Sequence, residues 1–309
     1  MTSYRFELVN GKVTGPTATD AQLRLRPILG SGGSFAADAR RFVAGEALDT
    51  AINTAIAVNQ PLLITGEPGT GKTQAAYYAA YKLGIEPVLH FQVKSDSTAH
   101  DLLYHFDTVR YFHDAHLKKE DLKKADYIEK RALWKALIAE HPCVLLIDEI
   151  DKAPRDFPND LLHELDKLEF EVVETEQRIQ GSNANQPILF ITSNSERRLP
   201  EPFLRRCVFH HIPFDRDLAW EAVQARAAEY PALDEAFLKL AVDRFMRLRA
   251  RALRKLPATG ELLVWLLVLG LDVGRYSQQL DDDLAKLPYL GVLLKDHQDV
   301  EETRKGSNR

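Results

Sequence analysis

A parallel α/β domain followed by a smaller all-helical one is the architecture this sequence predicts, and three observations point to it. Residues Pro61–Thr73 read PLLITGEPGTGKT, a short apolar run that opens into a glycine-rich loop, and TQAAYYAAYKL then supplies a helix. Cys143–Asp151 reads CVLLIDEID, a second apolar run that delivers acidic residues to one end. From Asp215 onward strand patterns stop and helical stripes take over.

Taken in order, Tyr4–Val13 alternates apolar and polar residues around Asn10-Gly11, a hairpin signal. Gly15–Gly33 is rich in Gly, Pro, Thr and Ser and reads as an arm or linker. Phe42–Val58 predicts a helix with Ala47, Leu48, Ala51, Ile52, Ala55 and Ile56 on one side. Pro61–Thr65 is a buried parallel strand by its unbroken apolar run.

Gly66–Thr73 fits the pattern G-x-x-x-x-G-K-[ST], a loop that cradles phosphates. A triphosphate needs inward-pointing backbone N–H groups. The loop Gly66, Glu67, Pro68, Gly69, Thr70, Gly71 supplies them because its glycines adopt conformations other residues resist. Lys72 is placed to reach the β- and γ-phosphates of ATP, and the Thr73 hydroxyl to bind Mg²⁺. The following helix ends at Gly84.

Pro87–Val93 is the next strand, and Asp101–Ala139 reads as mostly helical. The aromatics Tyr104 and Phe106 in that stretch read as core in preference to a surface that grips a partner. In the run that ends at Asp151, Asp148 can hold Mg²⁺ through water and Glu149 can orient or deprotonate an attacking water. A helix over 159–168 leads into EFEVVETEQRIQGSNANQ, whose two halves are strand-like. Pro187–Ser193 is another buried strand, ending at Asn194. Leu204, Arg205 and Arg206 lie on a short helix entered through Pro200 and Pro202, and Val208–Ile212 is a fifth strand. Helical stripes follow, through Phe237, Leu240, Ala241 and Phe245 and then Leu262–Leu271. The expected division is 1–40 (hairpin and arm), 41–214 (α/β core) and 215–309 (helical domain).

Composition narrows the function classes. The 309 residues are 45% hydrophobic and carry a formal net charge of −5, so nothing global favours nucleic acid or an anionic membrane. The two cysteines, Cys143 and Cys207, lack metal-ligand spacing and read as buried free thiols. His113 and His116 share a helix face with no completing ligands, so they read as solvated. The N-terminus lacks the apolar core of a signal peptide, and the longest apolar run, near Leu262–Leu271, is too short to span a bilayer. A cytoplasmic protein is the expectation.

Four features stand in one order: GEPGTGKT, LLIDEID, a strand ending in TSN, and FLRRC before a helical domain. That order resembles the AAA+ ATPases over roughly Phe42 to the C-terminus. PLLITGEPGTGKT, IDEIDKAP, the hairpin-like insert before ITSN, and LPEPFLRRC are similar to motifs of the MoxR group. The resemblance implies a five-stranded parallel sheet in order 5-1-4-3-2, a helical lid, and a ring, usually a hexamer. It makes Lys72 and Thr73 the Walker A pair and Asp148 and Glu149 the Walker B pair. Asn194 takes the place of the sensor 1 residue that positions the lytic water. Arg206, with Arg205 as the alternative, takes the place of the finger that reaches a neighbour's nucleotide. The chain departs from the pattern at KLPATGELL, where Gly260 stands in the place of the sensor 2 arginine; Lys255 and Arg254 are the available substitutes.

The function this implies is chaperone-like remodelling or maturation of a partner protein, often one with a von Willebrand factor A domain. A motor acting on nucleic acid and a nucleotide-gated scaffold with little turnover are the alternatives. Charge disfavours the motor. The insert before the sensor strand holds Glu169, Glu171, Glu174 and Glu176 against Arg178, and Ser95–Asp107 holds three aspartates and no Lys or Arg.

Overall fold

The computed structural model describes residues 9, 18–24, 35–40, 42–117, 119, 121–182, 184–272 and 280–306. The expected hairpin over 4–13 lies outside the described residues but for Val9, and most of the expected arm lies outside them too. Two compact units divide the chain. One is 35–67 with 71–213; the other comprises the described residues of 1–34, 68–70 and 214–309.

The first unit is a five-stranded sheet between helices. Its strands are β1 (Leu62–Gly66), β2 (Leu89–Gln92), β5 (Val144–Asp148), β8 (Ile188–Ser193) and β9 (Val208–Ile212), in the order β2-β5-β8-β1-β9. All the pairings are parallel, and numbered within this sheet alone the order is 5-1-4-3-2, as expected. The central strands β1 and β5 are buried along their whole length because helices cover both faces, which is why they read as unbroken apolar runs. The edge strand β9 alternates, leaving Phe209 exposed.

Parallel alignment brings the C-terminal ends of β1, β5 and β8 to one edge of the sheet, where α/β folds bind ligands. The glycine loop leaves β1 there and the helix Lys72–Leu83 begins. Gly71 precedes that helix at φ 87°, and a Cβ there would come within 2.7 Å of the Phe42 ring. Both the backbone and the neighbouring ring therefore require glycine. Gly84, at φ 69°, ends the helix in the left-handed conformation that suits a C-cap.

Between β2 and β5 the structure departs from the expected helical stretch. Short helices His100–Leu103, Thr108–His116 and Ala132–Leu137 are present, but β3 (Tyr104–Phe106) pairs antiparallel with β4 (Ile128–Lys130). Strands of three residues show too little alternation to be told from a helical pattern. Tyr104 is buried at 1% exposure, stacks on Phe170 at 6.2 Å and accepts a 3.1 Å hydrogen bond from Val173 N, so it is a core residue. Phe106 packs partly buried against the same core.

The expected helix over 159–168 is two short helices, Phe157–Asp160 and Leu162–Lys167. The insert that follows is a hairpin of β6 (Glu169–Val172) and β7 (Gln177–Gln180). Cys143 is buried and Cys207 partly so; both are free, and burial raises both thiols, Cys207 to about 12 with help from the Asp166 charge.

In the second unit, helices Arg216–Gln224, Glu235–Arg249 and Thr259–Leu271 pack around Trp265, Phe245 and Leu266. The Trp265 indole N–H donates to the Pro288 carbonyl at 2.8 Å, which satisfies the one polar group of that fully buried ring. No helix among the described residues is long and apolar enough to cross a membrane.

Candidate nucleotide-binding site

Lys72 opens the helix after the loop and is buried at 6% exposure. Its ammonium donates to the Gly66 and Glu67 carbonyls at 2.9 and 2.7 Å. Burial lowers its pKa, while the charges of Asp151, Asp148, Glu149 and Glu67 work against that shift. The next residue, Thr73, donates its hydroxyl to Asp148 at 2.9 Å to Oδ1 and 3.2 Å to Oδ2.

Asp148 ends β5 and is 4% exposed. Burial pushes its carboxyl pKa up, but hydrogen bonds from His90, Thr192 and Thr73 outweigh this and hold it below the ordinary value. The carboxylate is therefore kept charged in a largely dry place. Its contact with the Thr192 hydroxyl is 2.5 Å, and with His90 Nε2 3.3 Å.

Glu149 follows at φ 60° and ψ 50°, a left-handed conformation that a non-glycine residue adopts only when its surroundings impose it. Here its backbone N–H donates to Thr192 Oγ1 at 2.8 Å. Its carboxylate accepts from Asn194 Nδ2 at 3.1 Å, from Gln92 Nε2 at 2.7 Å and from the Lys152 ammonium. Asn194 is held in turn by Asp151, a carboxylate 2% exposed that accepts from the backbone N–H groups of Asn194 (3.1 Å) and Glu196 (2.9 Å).

The structure thus brings Lys72, Thr73, Asp148, Glu149 and Asn194 to one sheet edge. Arg205 and Arg206 make their contacts elsewhere, past the end of the helix Glu201–Leu204. Arg206 donates to Asp166 at 2.6 Å and to the Pro202 carbonyl at 2.8 Å; Arg205 pairs with Glu201 at 3.3 Å. At the sensor 2 place, Gly260 sits in the first turn of the helix Thr259–Leu271 and offers no side chain. The backbone N–H groups of Arg254 and Lys255 are held by the Asp299 carboxylate at 3.0 and 3.1 Å, and both residues are exposed.

Five site residues escaped the sequence reading: His90, Gln92, Asp151, Lys152 and Thr192. A signal existed for three of them. His90 and Gln92 are polar at alternate positions of an apolar strand, and Thr192 stands two before Asn194. Polar residues on one face of a buried strand need partners.

A magnesium ion suits this donor set. Thr73 and Asp148 offer adjacent oxygen ligands, the chemistry a hard divalent cation takes, and Asp148 is held charged. Held by Thr73 and Asp148, such an ion would supply positive charge that offsets the charge of the phosphates. The chain's own parts divide the remaining work. Lys72 is placed to meet phosphate, Glu149 is placed to orient or accept a proton from water, and Asn194 donates to the Glu149 carboxylate.

A strand-loop-helix phosphate cradle, paired carboxylates on the adjacent strand and a 5-1-4-3-2 sheet define a P-loop ATPase domain. Residues 61–207, nearly half of the chain, match the family described as AAA domain, dynein-related subfamily. The chain therefore carries an AAA-type, ATP-hydrolysing domain. Similar solved structures include a candidate ATPase from Cytophaga hutchinsonii, 14% identical over 70% of this chain and 68% of that one, with a TM-score of 0.41. Another is NtrX from Brucella abortus in complex with ADP, 16% identical over 86% of this chain and 65% of that one, with a TM-score of 0.49. Comparison with curated proteins finds no match.

Proposed function

We propose that this protein is a cytoplasmic ATPase of the MoxR-like kind. It assembles into a ring, a hexamer by family resemblance, hydrolyses Mg·ATP at subunit interfaces, and uses the energy to remodel or mature a partner protein. A protein with a von Willebrand factor A domain is the partner class the resemblance suggests. The observation that carries the shared-site reading is the pairing of Arg205 and Arg206. Their side chains are 76% and 43% exposed, and their polar partners among the described residues are Glu201, Asp166 and the Pro202 carbonyl. A finger cation positioned this way serves a phosphate supplied by another subunit.

A protein client is favoured by the β6–β7 hairpin. Arg178, its one basic residue, is taken up in a two-point pair with Glu169. Glu171, Glu176 and the apolar Val173, 75% exposed, are left on the surface. Such a surface repels phosphates at short range and offers an apolar contact to a polypeptide. ATP turnover at about 0.1 M salt, where the Debye length is about 10 Å, is expected to be unchanged by duplex or single-stranded nucleic acid. Several-fold stimulation that disappears when basic residues are changed would replace the protein client with a nucleic-acid one.

A further inference from the structure

The edge strand β2 carries two polar side chains two residues apart, and each meets one of the acids at the end of β5. Gln92 meets Glu149, and His90 meets Asp148. The His90 contact belongs to a longer chain of groups. A carboxylate only accepts hydrogen bonds, so Nε2 carries the proton toward Asp148 Oδ2, at 3.3 Å. In the neutral ring Nδ1 then accepts from the Tyr77 hydroxyl, at 3.1 Å. The Tyr77 ring is stacked on Phe35 with centroids 5.1 Å apart, and Phe35 also meets the His90 ring at 6.1 Å, edge to face. The Phe35 carbonyl is tied down by Gln74 Nε2 at 2.8 Å. The imidazole is thus held at both nitrogens and flanked by aromatic rings.

We propose that His90 is a positioning residue for the divalent-cation site of Thr73 and Asp148, acting through Asp148. This rests on the reading that the site binds Mg²⁺ with nucleotide. Asp148 Oδ1 is held by Thr192 and Thr73, whereas Oδ2 is held by His90 and by the longer contact from Thr73. Removing the His90 donor leaves Oδ2 with the longer Thr73 contact alone among the described residues, so the carboxylate is held less firmly about its bonds to Thr192 and Thr73. Cation binding then includes the cost of re-orienting it. The contacts of the loop and Lys72 with phosphate do not involve His90, so nucleotide affinity without the cation is unaffected.

The test is a Mg²⁺ titration of the full chain with a fluorescent ADP analogue bound, next to analogue affinity in EDTA. His90→Phe keeps an aromatic ring and removes the donor; His90→Gln loses the ring and places an amide N–H near the position of Nε2. His90→Phe is expected to raise the Mg²⁺ midpoint about 10-fold or more, the scale seen when outer partners of metal ligands are lost. Affinity in EDTA stays unchanged, and His90→Gln stays close to wild type. Tyr77→Phe, which frees Nδ1, falls between. A wild-type midpoint in His90→Phe overturns the proposal, and so does a His90→Gln shift as large as that of His90→Phe. If His90→Phe loses analogue binding in EDTA, its fold is disturbed and His90→Asn decides. Its amide is too short to reach Asp148, so a raised midpoint supports the proposal and a wild-type one overturns it. A wild-type protein whose analogue fluorescence ignores Mg²⁺ overturns the underlying reading instead, and with it this one.

Discussion

Glu149→Gln protein binds ATP as tightly as the wild type and hydrolyses it about 10²- to 10⁴-fold more slowly, the range set by loss of a positioned general base. The expectation follows from how the side chain is held. Asn194 donates to one carboxylate oxygen, and Gln92 and Lys152 to the other. An amide at 149 has a single acceptor oxygen, so one donor must face an NH₂ group and the water loses its carboxylate partner. None of the loop groups placed to hold phosphate is altered, so binding is expected to persist. Single-turnover hydrolysis beside equilibrium ATP binding measures both quantities. Normal turnover in this variant would remove Glu149 from the chemistry.

Arg206→Ala is expected to keep ATP affinity while turnover falls about 10³-fold, the lower end of what trans-acting arginines contribute. Within its own chain Arg206 touches Asp166 and Pro202, none of them part of the phosphate site, so the loss is not one of local assembly. Arg205→Ala is the comparison, because the Arg205 side chain makes an exposed pair with Glu201. Mixing Arg206→Ala with Lys72→Ala subunits restores part of the activity, since an intact loop then meets an intact finger at some interfaces. A mixture that co-assembles and stays inactive would rule out the finger role for Arg206.

The legible parts of the fold were those fixed by local physics. β1, β5 and β8 read as apolar runs because both their faces are covered, and the loop between Gly66 and Thr73 reads from glycine chemistry alone. β3 and β4 were not legible, because three-residue strands carry no period and their pairing joins Tyr104 to Lys130 across a long insertion. The site divided in the same way. Lys72, Thr73, Asp148 and Glu149 stand in fixed spacings. His90 and Gln92 reach the acids only because β2 lies beside β5 in a register that sets Gln92 against Asp148. Asp151 reads as one more surface acid until the turn after β8 folds back to place two backbone N–H groups on it. At Gly260 the sequence departs from the pattern it resembles, and the backbone N–H groups of Arg254 and Lys255 are held by Asp299, a contact across more than forty residues that no local pattern announces.

The loop at Lys72 and the acids at the end of β5 are proposed as the site where ATP is bound and hydrolysed. Phosphate release under saturating Mg·ATP, compared between wild type and Lys72→Ala, tests it most directly. Lys72 is the buried cation of the loop, and its ammonium rests on the Gly66 and Glu67 carbonyls in place to meet phosphate. Steady release by the wild type and background release by Lys72→Ala are expected, with ATP binding abolished or greatly weakened. Wild-type release by Lys72→Ala would contradict the proposal.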